Sequence, residues 1–186
     1  MKKYQIILAD PPWSYKDKSK SHGGGAESHY PCMTTKDICS IKIPSADNAI
    51  LLLWATYPQL EEAFKVISAW GFTYKTCAFT WVKTNKNGSI YMGMGRYTRA
   101  NAEICLLAKK GIGVRRQSAS IYNTQLHQRT KHSQKPQHFK RDIIKLFGDL
   151  PRIELFAREK TPGWDSIGNG IDGMDIKESL DKLIAQ

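Results

Sequence analysis

No run of apolar residues in this sequence is long enough to cross a bilayer, which excludes a helical membrane protein. The start, Met1-Lys2-Lys3, leads straight into a short apolar segment rather than a leader-like pattern, so no secretory signal is expected. Paired cysteines are missing too. Cys32, Cys39, Cys77 and Cys105 form no CxxC unit, and two of them sit inside apolar runs, the usual setting of buried free thiols. These absences point to a reducing, cytoplasmic location. There is no G-x-G-x-x-G, hence no dinucleotide fingerprint, and no internal repeat or low-complexity linker. Acidic residues are the most conspicuous deficit. Between Arg96 and Arg141 eleven lysines and arginines meet one carboxylate, Glu103, and this segment carries most of the net charge of +11. Tyr97, Asn101, Tyr122, Asn123 and Gln125 lie among those charges, which suits a surface that follows a phosphate backbone better than a solvated face.

What the sequence does have is Asp10-Pro11-Pro12-Trp13, directly after the apolar run Ile6-Ile7-Leu8-Ala9. The two prolines fix φ and remove backbone donors, so the segment offers acceptors: the Asp10 carboxylate and the neighbouring carbonyls. Trp13 adds a broad π-face. Acceptors beside an aromatic wall suit the amino edge of adenine or cytosine, although Asp-Pro-Pro also occurs in ordinary turns.

Strand and helix patterns alternate over the 186 residues, as in a single α/β domain with a largely parallel sheet. Strands are expected at Gln5–Ala9, Ala49–Trp54, Cys77–Val82, Glu103–Ala108 and Ile153–Phe156. Helices are expected at Pro58–Trp70, closed by Gly71, and at Gln137–Phe147, closed by Gly148, with a last short one in 174–186. Residues 14–35 and 83–100 read as long loops, candidate lids or nucleic-acid-contacting segments. In open α/β sheets ligands bind beyond the carboxyl ends of strands, and Asp10 sits at such an end.

Five further stretches appear in a fixed order: His29-Tyr30-Pro31-Cys32-Met33, Trp81-Val82-Lys83-Thr84-Asn85, His132-Ser133-Gln134-Lys135-Pro136, Ile153-Glu154-Leu155-Phe156-Ala157-Arg158 and Gly163-Trp164-Asp165-Ser166-Ile167-Gly168-Asn169. Together with Asp10-Pro11-Pro12-Trp13 they resemble the MT-A70 family of adenine-N6 methyltransferases, and the likeness covers residues 4 to about 173. The resemblance implies a Rossmann-like methyltransferase fold, its mostly parallel sheet flanked by helices on both faces. The motif order is permuted, the catalytic motif preceding the cofactor strand. It further implies methyl transfer from S-adenosyl-L-methionine to adenine N6 in nucleic acid, DNA rather than RNA, with no metal and no membrane partner.

The roles implied are as follows. Asp10, Pro11, Pro12 and Trp13 are catalytic; Asp10, Lys135, Phe156, Arg158 and Asn169 meet the cofactor; Trp13, Tyr30 and Glu103 meet the base. Arg96, Arg99, Arg115, Arg116, Arg129 and Lys131 follow the nucleic-acid backbone. Each has a plainer reading: core packing for Trp13, a hydroxyl-anchored loop residue for Tyr30, a surface cation for Lys135, a salt-bridge partner for Glu103. Gly170 stands where family members often carry Glu or Gln, which puts a ribose contact in doubt. Two rivals stay open: a non-catalytic nucleic-acid-binding member of the same fold, and a zinc protein built on His22, His29, Cys32 and Cys39, whose spacing lacks paired ligands. A homodimer or a partner chain is compatible with either reading.

Overall fold

The structure, a computed structural model, describes residues 2–15, 32–95, 97–129 and 134–185. In chain order its elements are β1 (Tyr4–Ala9), α1 (Thr35–Cys39), β2 (Ser45–Ala55), α2 (Leu60–Ala69), β3 (Thr73–Thr84), β4 (Ala102–Lys110), β5 (Thr124–Gln128), α3 (His138–Phe147), β6 (Arg152–Leu155), β7 (Asp165–Ile167), α4 (Asn169–Asp172) and α5 (Ile176–Ala185). The strands form one sheet in the order β5-β3-β4-β2-β1-β6-β7. Every neighbouring pair is parallel except the two made by β4, which runs against both β2 and β3.

The continuous apolar runs of the central strands follow from helices covering both faces. Side chains alternate between them. Ile7, Ala9, Leu51 and Leu53 join Ile38 of α1, Val66 and Ile67 of α2 and Leu180 of α5. Ile6, Leu8, Leu52 and Trp54 join Phe139, Ile143 and Phe147 of α3 on the other side. Trp54 and Phe139 meet edge-on at 5.0 Å between ring centres. Helix α2 buries Ala63, Val66 and Ile67, the i, i+3, i+4 stripe its sequence spells. Among the described residues no helix is long and apolar enough to cross a membrane.

The expected central strands and both long helices form, with shifted ends. Pro58 opens a 3₁₀ turn (Tyr57–Gln59), so α2 proper starts at Leu60. Gly71 and Gly148 take positive φ, +78° and +88°, directly after the helical turns they close. β6 stops at Leu155 rather than Phe156, because Phe156 is a non-glycine residue at φ +63°, outside strand geometry. β5 and β7 are additional edge strands. Thr-Gln-Leu-His-Gln is too polar, and Asp-Ser-Ile too short, to carry a strand pattern alone.

Direction decides what meets where. The carboxyl ends of β1, β2, β3 and β6 share one edge of the sheet. Because β4 is reversed, its beginning (Ala102, Glu103) reaches that edge, opposite Val82 and Trp81. The turn after β7 depends on close backbone approach: a Cβ on Gly168 would lie 2.4 Å from the Ala157 carbonyl oxygen and 2.6 Å from its nitrogen. Gly168→Ala is therefore expected to cost about 1–3 kcal/mol, read as a lower urea midpoint. An unchanged midpoint would show that the turn relaxes freely.

Candidate active site

Asp10 leaves β1 at the carboxyl edge, and the chain then turns sharply. The Trp13 amide donates to the Pro11 carbonyl at 2.9 Å, and the Met33 amide donates to the Pro12 carbonyl at 2.8 Å. The prolines thus shape a short acceptor-rich corner pinned from both sides. Trp13 is buried, its indole N–H donating to the Trp54 carbonyl at 3.1 Å. It forms a wall of the cleft, with its backbone bridged to Met33 and its indole N–H held by β2.

Lys135 organises the centre. Its Nζ lies 2.6 Å from Asp10 Oδ2 and 3.0 Å from Glu103 Oε2, and 5.4 Å from the centre of the Trp54 ring. Glu103 takes a second cation, Lys83 Nζ, at 2.5 Å on Oε1. The result is an alternating line of charge, Asp10–Lys135–Glu103–Lys83, drawn from β1, the segment before α3, β4 and β3. Burial pushes the Asp10 carboxyl above its ordinary value; Lys135 pulls against that, and Glu103 adds to it. Burial also favours a protonated Glu103, but Lys135 and Lys83 outweigh it and hold the group down at about 2. For Lys135, burial opposes the charge and the two carboxylates more than restore it, so it stays protonated well into base.

Two clefts adjoin at this line. One is walled by Pro11, Pro12, Trp13, Tyr15, Thr56 and Glu103. The other is walled by Trp54, Pro136, Phe139, Glu154, Phe156 and Glu159. Asp10, Lys135 and Arg158 line both, so the Asp10–Lys135 pair is the partition between them. The second cleft has aromatic walls with a polar rim, where Gln134 donates to Glu159 at 3.0 Å. Phe156 owes its place there to the left-handed backbone that ends β6, a conformation costly for a bulky residue.

Not all expected site residues converge. Asn169, exposed at the start of α4, lines neither cleft; Gly170 beside it lets the helix approach Arg158, whose Cα a Cβ there would meet at 2.9 Å. Arg99 and Arg129 lie at the carboxyl edge with Asp10, the Arg129 amide donating to the Thr84 carbonyl at 3.2 Å. Arg115 and Arg116 do not share that face. They follow the end of β4 at the opposite edge, where the Ile112 amide donates to Asn48 Oδ1 at 3.0 Å. Lys140, counted in the basic segment, is buried on Glu154 at 2.6 Å and Thr161 at 2.7 Å, and cannot meet a backbone phosphate. Tyr30, Arg96 and Lys131 lie outside the described residues, as do His22 and His29 of the zinc alternative. Sequence reasoning gave no role to Lys83, Trp54 or Glu154. Their signal was position: Lys83 and Trp54 close strands at the edge where Asp10 stands, and Glu154 is a charge inside an apolar strand.

A mostly parallel sheet of this order, with an acceptor corner and a two-cleft centre at its carboxyl edge, defines a Rossmann-like methyltransferase. The MT-A70 family model matches residues 4–170, and the chain belongs to that family. It is 39% identical over 186 residues to Type II methyltransferase M.MunI of Mycoplasma sp, covering 90% of this chain and 77% of that protein. It is 27% identical to the N(6)-adenine-specific methyltransferase METTL4 of Homo sapiens, and 25% to that of Mus musculus, over 91% of this chain and 38% of each relative.

Two stability outcomes follow from the charge line. Lys135→Met leaves two buried carboxylates facing each other and is expected to cost about 3 kcal/mol, much of it recovered in Lys135→Met/Glu103→Gln; additive losses in urea melts would contradict the coupling. Glu103, ordinarily near 4.5 and held here at about 2, adds stability that is complete above 4.5 and lost as pH falls toward 2. Glu103→Gln should accordingly flatten the fall in urea midpoint across that range.

Proposed function

We propose that this protein transfers a methyl group from S-adenosylmethionine to the N6 amine of adenine, with DNA as the polymer. The observation that carries the reading is the Asp10–Lys135 partition: two reactants placed in adjoining clefts would meet at one carboxylate. The residues of the second cleft fit the cofactor. Trp54, Phe139 and Phe156 offer apolar walls for a flat adenosine, while Lys135 and Arg158 complement a carboxylate and Glu159 an ammonium. When bound, S-adenosylmethionine supplies an electrophilic methyl group on a sulfonium.

The remaining work falls to this chain. An aromatic amine is a poor nucleophile because its lone pair is delocalised into the ring. Asp10 and the Pro11 carbonyl would accept its two N–H bonds and localise that pair on nitrogen. Lys135 holds Asp10 Oδ2, which orients the carboxylate and would leave Oδ1 to accept from the amine. Once the N–C bond forms, nitrogen must lose one proton. A carboxylate whose proton affinity burial has raised is a better acceptor than a solvated one. Alignment and preorganised charge supply the acceleration, with no covalent enzyme intermediate.

Adenine is favoured over cytosine by the METTL4 relatives, which are named as N(6)-adenine-specific, and DNA over RNA by the Type II methyltransferase. Arg99 and Arg129 at the carboxyl edge would meet the backbone of the target strand, whereas Arg115 and Arg116 could reach only a distal stretch of polymer. The test is transfer of labelled methyl from S-adenosylmethionine to unmethylated DNA and to RNA, followed by digestion to nucleosides. N6-methyldeoxyadenosine is expected from DNA, at least about a thousandfold less with Asp10→Ala. N6-methyladenosine from RNA alone would replace DNA as the substrate. No product and no cofactor binding would leave only a nucleic-acid-binding role.

The same assay carries a pH outcome. Activity needs the Asp10 carboxylate ionised, so kcat/KM should fall on the acid side with an apparent pKa above the aspartate value of 3.8. Glu103→Gln removes a like charge that raises Asp10, and should move that acid limb to lower pH. A shift to higher pH would overturn the electrostatic assignment.

A further inference from the structure

The segment joining β3 to β4 lies at the carboxyl edge of the sheet, the edge to which Asp10 belongs, and it is folded on itself. The Lys83 amide donates to the Asn101 carbonyl at 2.8 Å, the Tyr91 amide to the Lys83 carbonyl at 2.8 Å, and the Ala100 amide to the Gly93 carbonyl at 3.3 Å. The Arg129 guanidinium lies 4.2 Å from the centre of the Tyr91 ring, tying the segment to the end of β5. The two limbs are as close as backbones can come. A Cβ on Gly93 would lie 2.0 Å from the Ala100 carbonyl oxygen, and one on Gly95 2.0 Å from that of Thr98.

With the interior of the hairpin filled by backbone, its side chains must point outward. Met94 is 79% exposed and Tyr97 94%, among the most exposed large apolar residues of the described chain. Arg99 Nη1 lies 3.6 Å from Met94 Sδ, so a cation stands next to the apolar tip. No acidic residue occurs between Thr84 and Ala102. An apolar tip on a narrow, tied base, flanked by cations and free of acids, matches the chemistry of stacked bases between phosphates.

We infer that Met94 and Tyr97 form a wedge that enters duplex DNA and fills the gap left when the target adenine is extruded into the first cleft. The inference rests on the proposed DNA methylation and names how the duplex is opened. An adenine amine is reached by a buried carboxylate only when the base has left the stack, and an inserted side chain replaces the lost stacking. Arg99 and Arg129 would meet the phosphates on either side of the insertion.

The test uses duplex oligonucleotides carrying the site mapped from the wild-type product. In one the target adenine is paired with thymine; in the other it lies opposite an abasic position, so that extrusion is easy. Met94→Ser/Tyr97→Ser should lower kcat/KM on the paired duplex by about tenfold or more and stay within about twofold of wild type on the abasic one. With 2-aminopurine at the target, wild type should raise fluorescence and the double variant should raise it less. Equal losses on both duplexes, or none on either, would overturn the wedge and leave Asp10-dependent methylation standing. Absence of wild-type methylation on any duplex, with Asp10-dependent product on RNA or none at all, would overturn the function on which the wedge depends.

Discussion

One ammonium shared by two carboxylates holds this site together. Lys135 touches both Asp10 and Glu103, and its charge favours the ionised form of each against the cost of burial. The sharing is unequal. Glu103 has Lys83 as a second cation and is held strongly acidic, while Asp10 keeps a raised proton affinity. Two acids of the same chemistry are thereby pushed apart, one toward fixed charge and the other toward proton exchange. The same ion pair is also a wall, so electrostatics and shape are carried by the same atoms.

The sheet makes this possible through a single reversal. If β4 ran parallel to its neighbours, Glu103 would lie at the far edge, and the chain leading to Arg115 and Arg116 would leave from the edge where Asp10 stands. Running backwards, β4 delivers an acid to an edge that otherwise receives strand ends. Helix α3 contributes differently: packed by Phe139, Ile143 and Phe147, it fixes the segment before it, from which Lys135 reaches over Trp54. Core packing on one face of the sheet thus sets the position of the charge that divides the two clefts.

Much of this was legible in the sequence, and the exceptions have physical causes. Buried strands and amphipathic helices announce themselves by period, and Asp10, Glu103 and Lys135 stand in short segments whose chemistry is visible in their composition. Edge strands such as β5 need only one partner and no apolar face, so they leave little trace. The basic segment misled because a count of charges ignores direction. One strand reversal sends Arg115 and Arg116 to the opposite edge, and one helix turns Lys140 inward onto Glu154. Asn169 was assigned by likeness alone, and the path of the chain after β7 sets it outside both clefts. Trp13 lines the first cleft, and its indole N–H is held by the Trp54 carbonyl, which composition cannot reveal.

The hairpin between β3 and β4 begins and ends on adjacent strands, Val82 opposite Ala102, with Lys83 and Asn101 bonded across its neck. Its endpoints are therefore fixed whatever lies between them. Residues can be added or removed at the tip with little closure cost and without disturbing the strands that carry Lys83 and Glu103. The architecture thus separates the charge line, anchored on the strands, from a loop that can change in length or sequence while its two ends stay where they are.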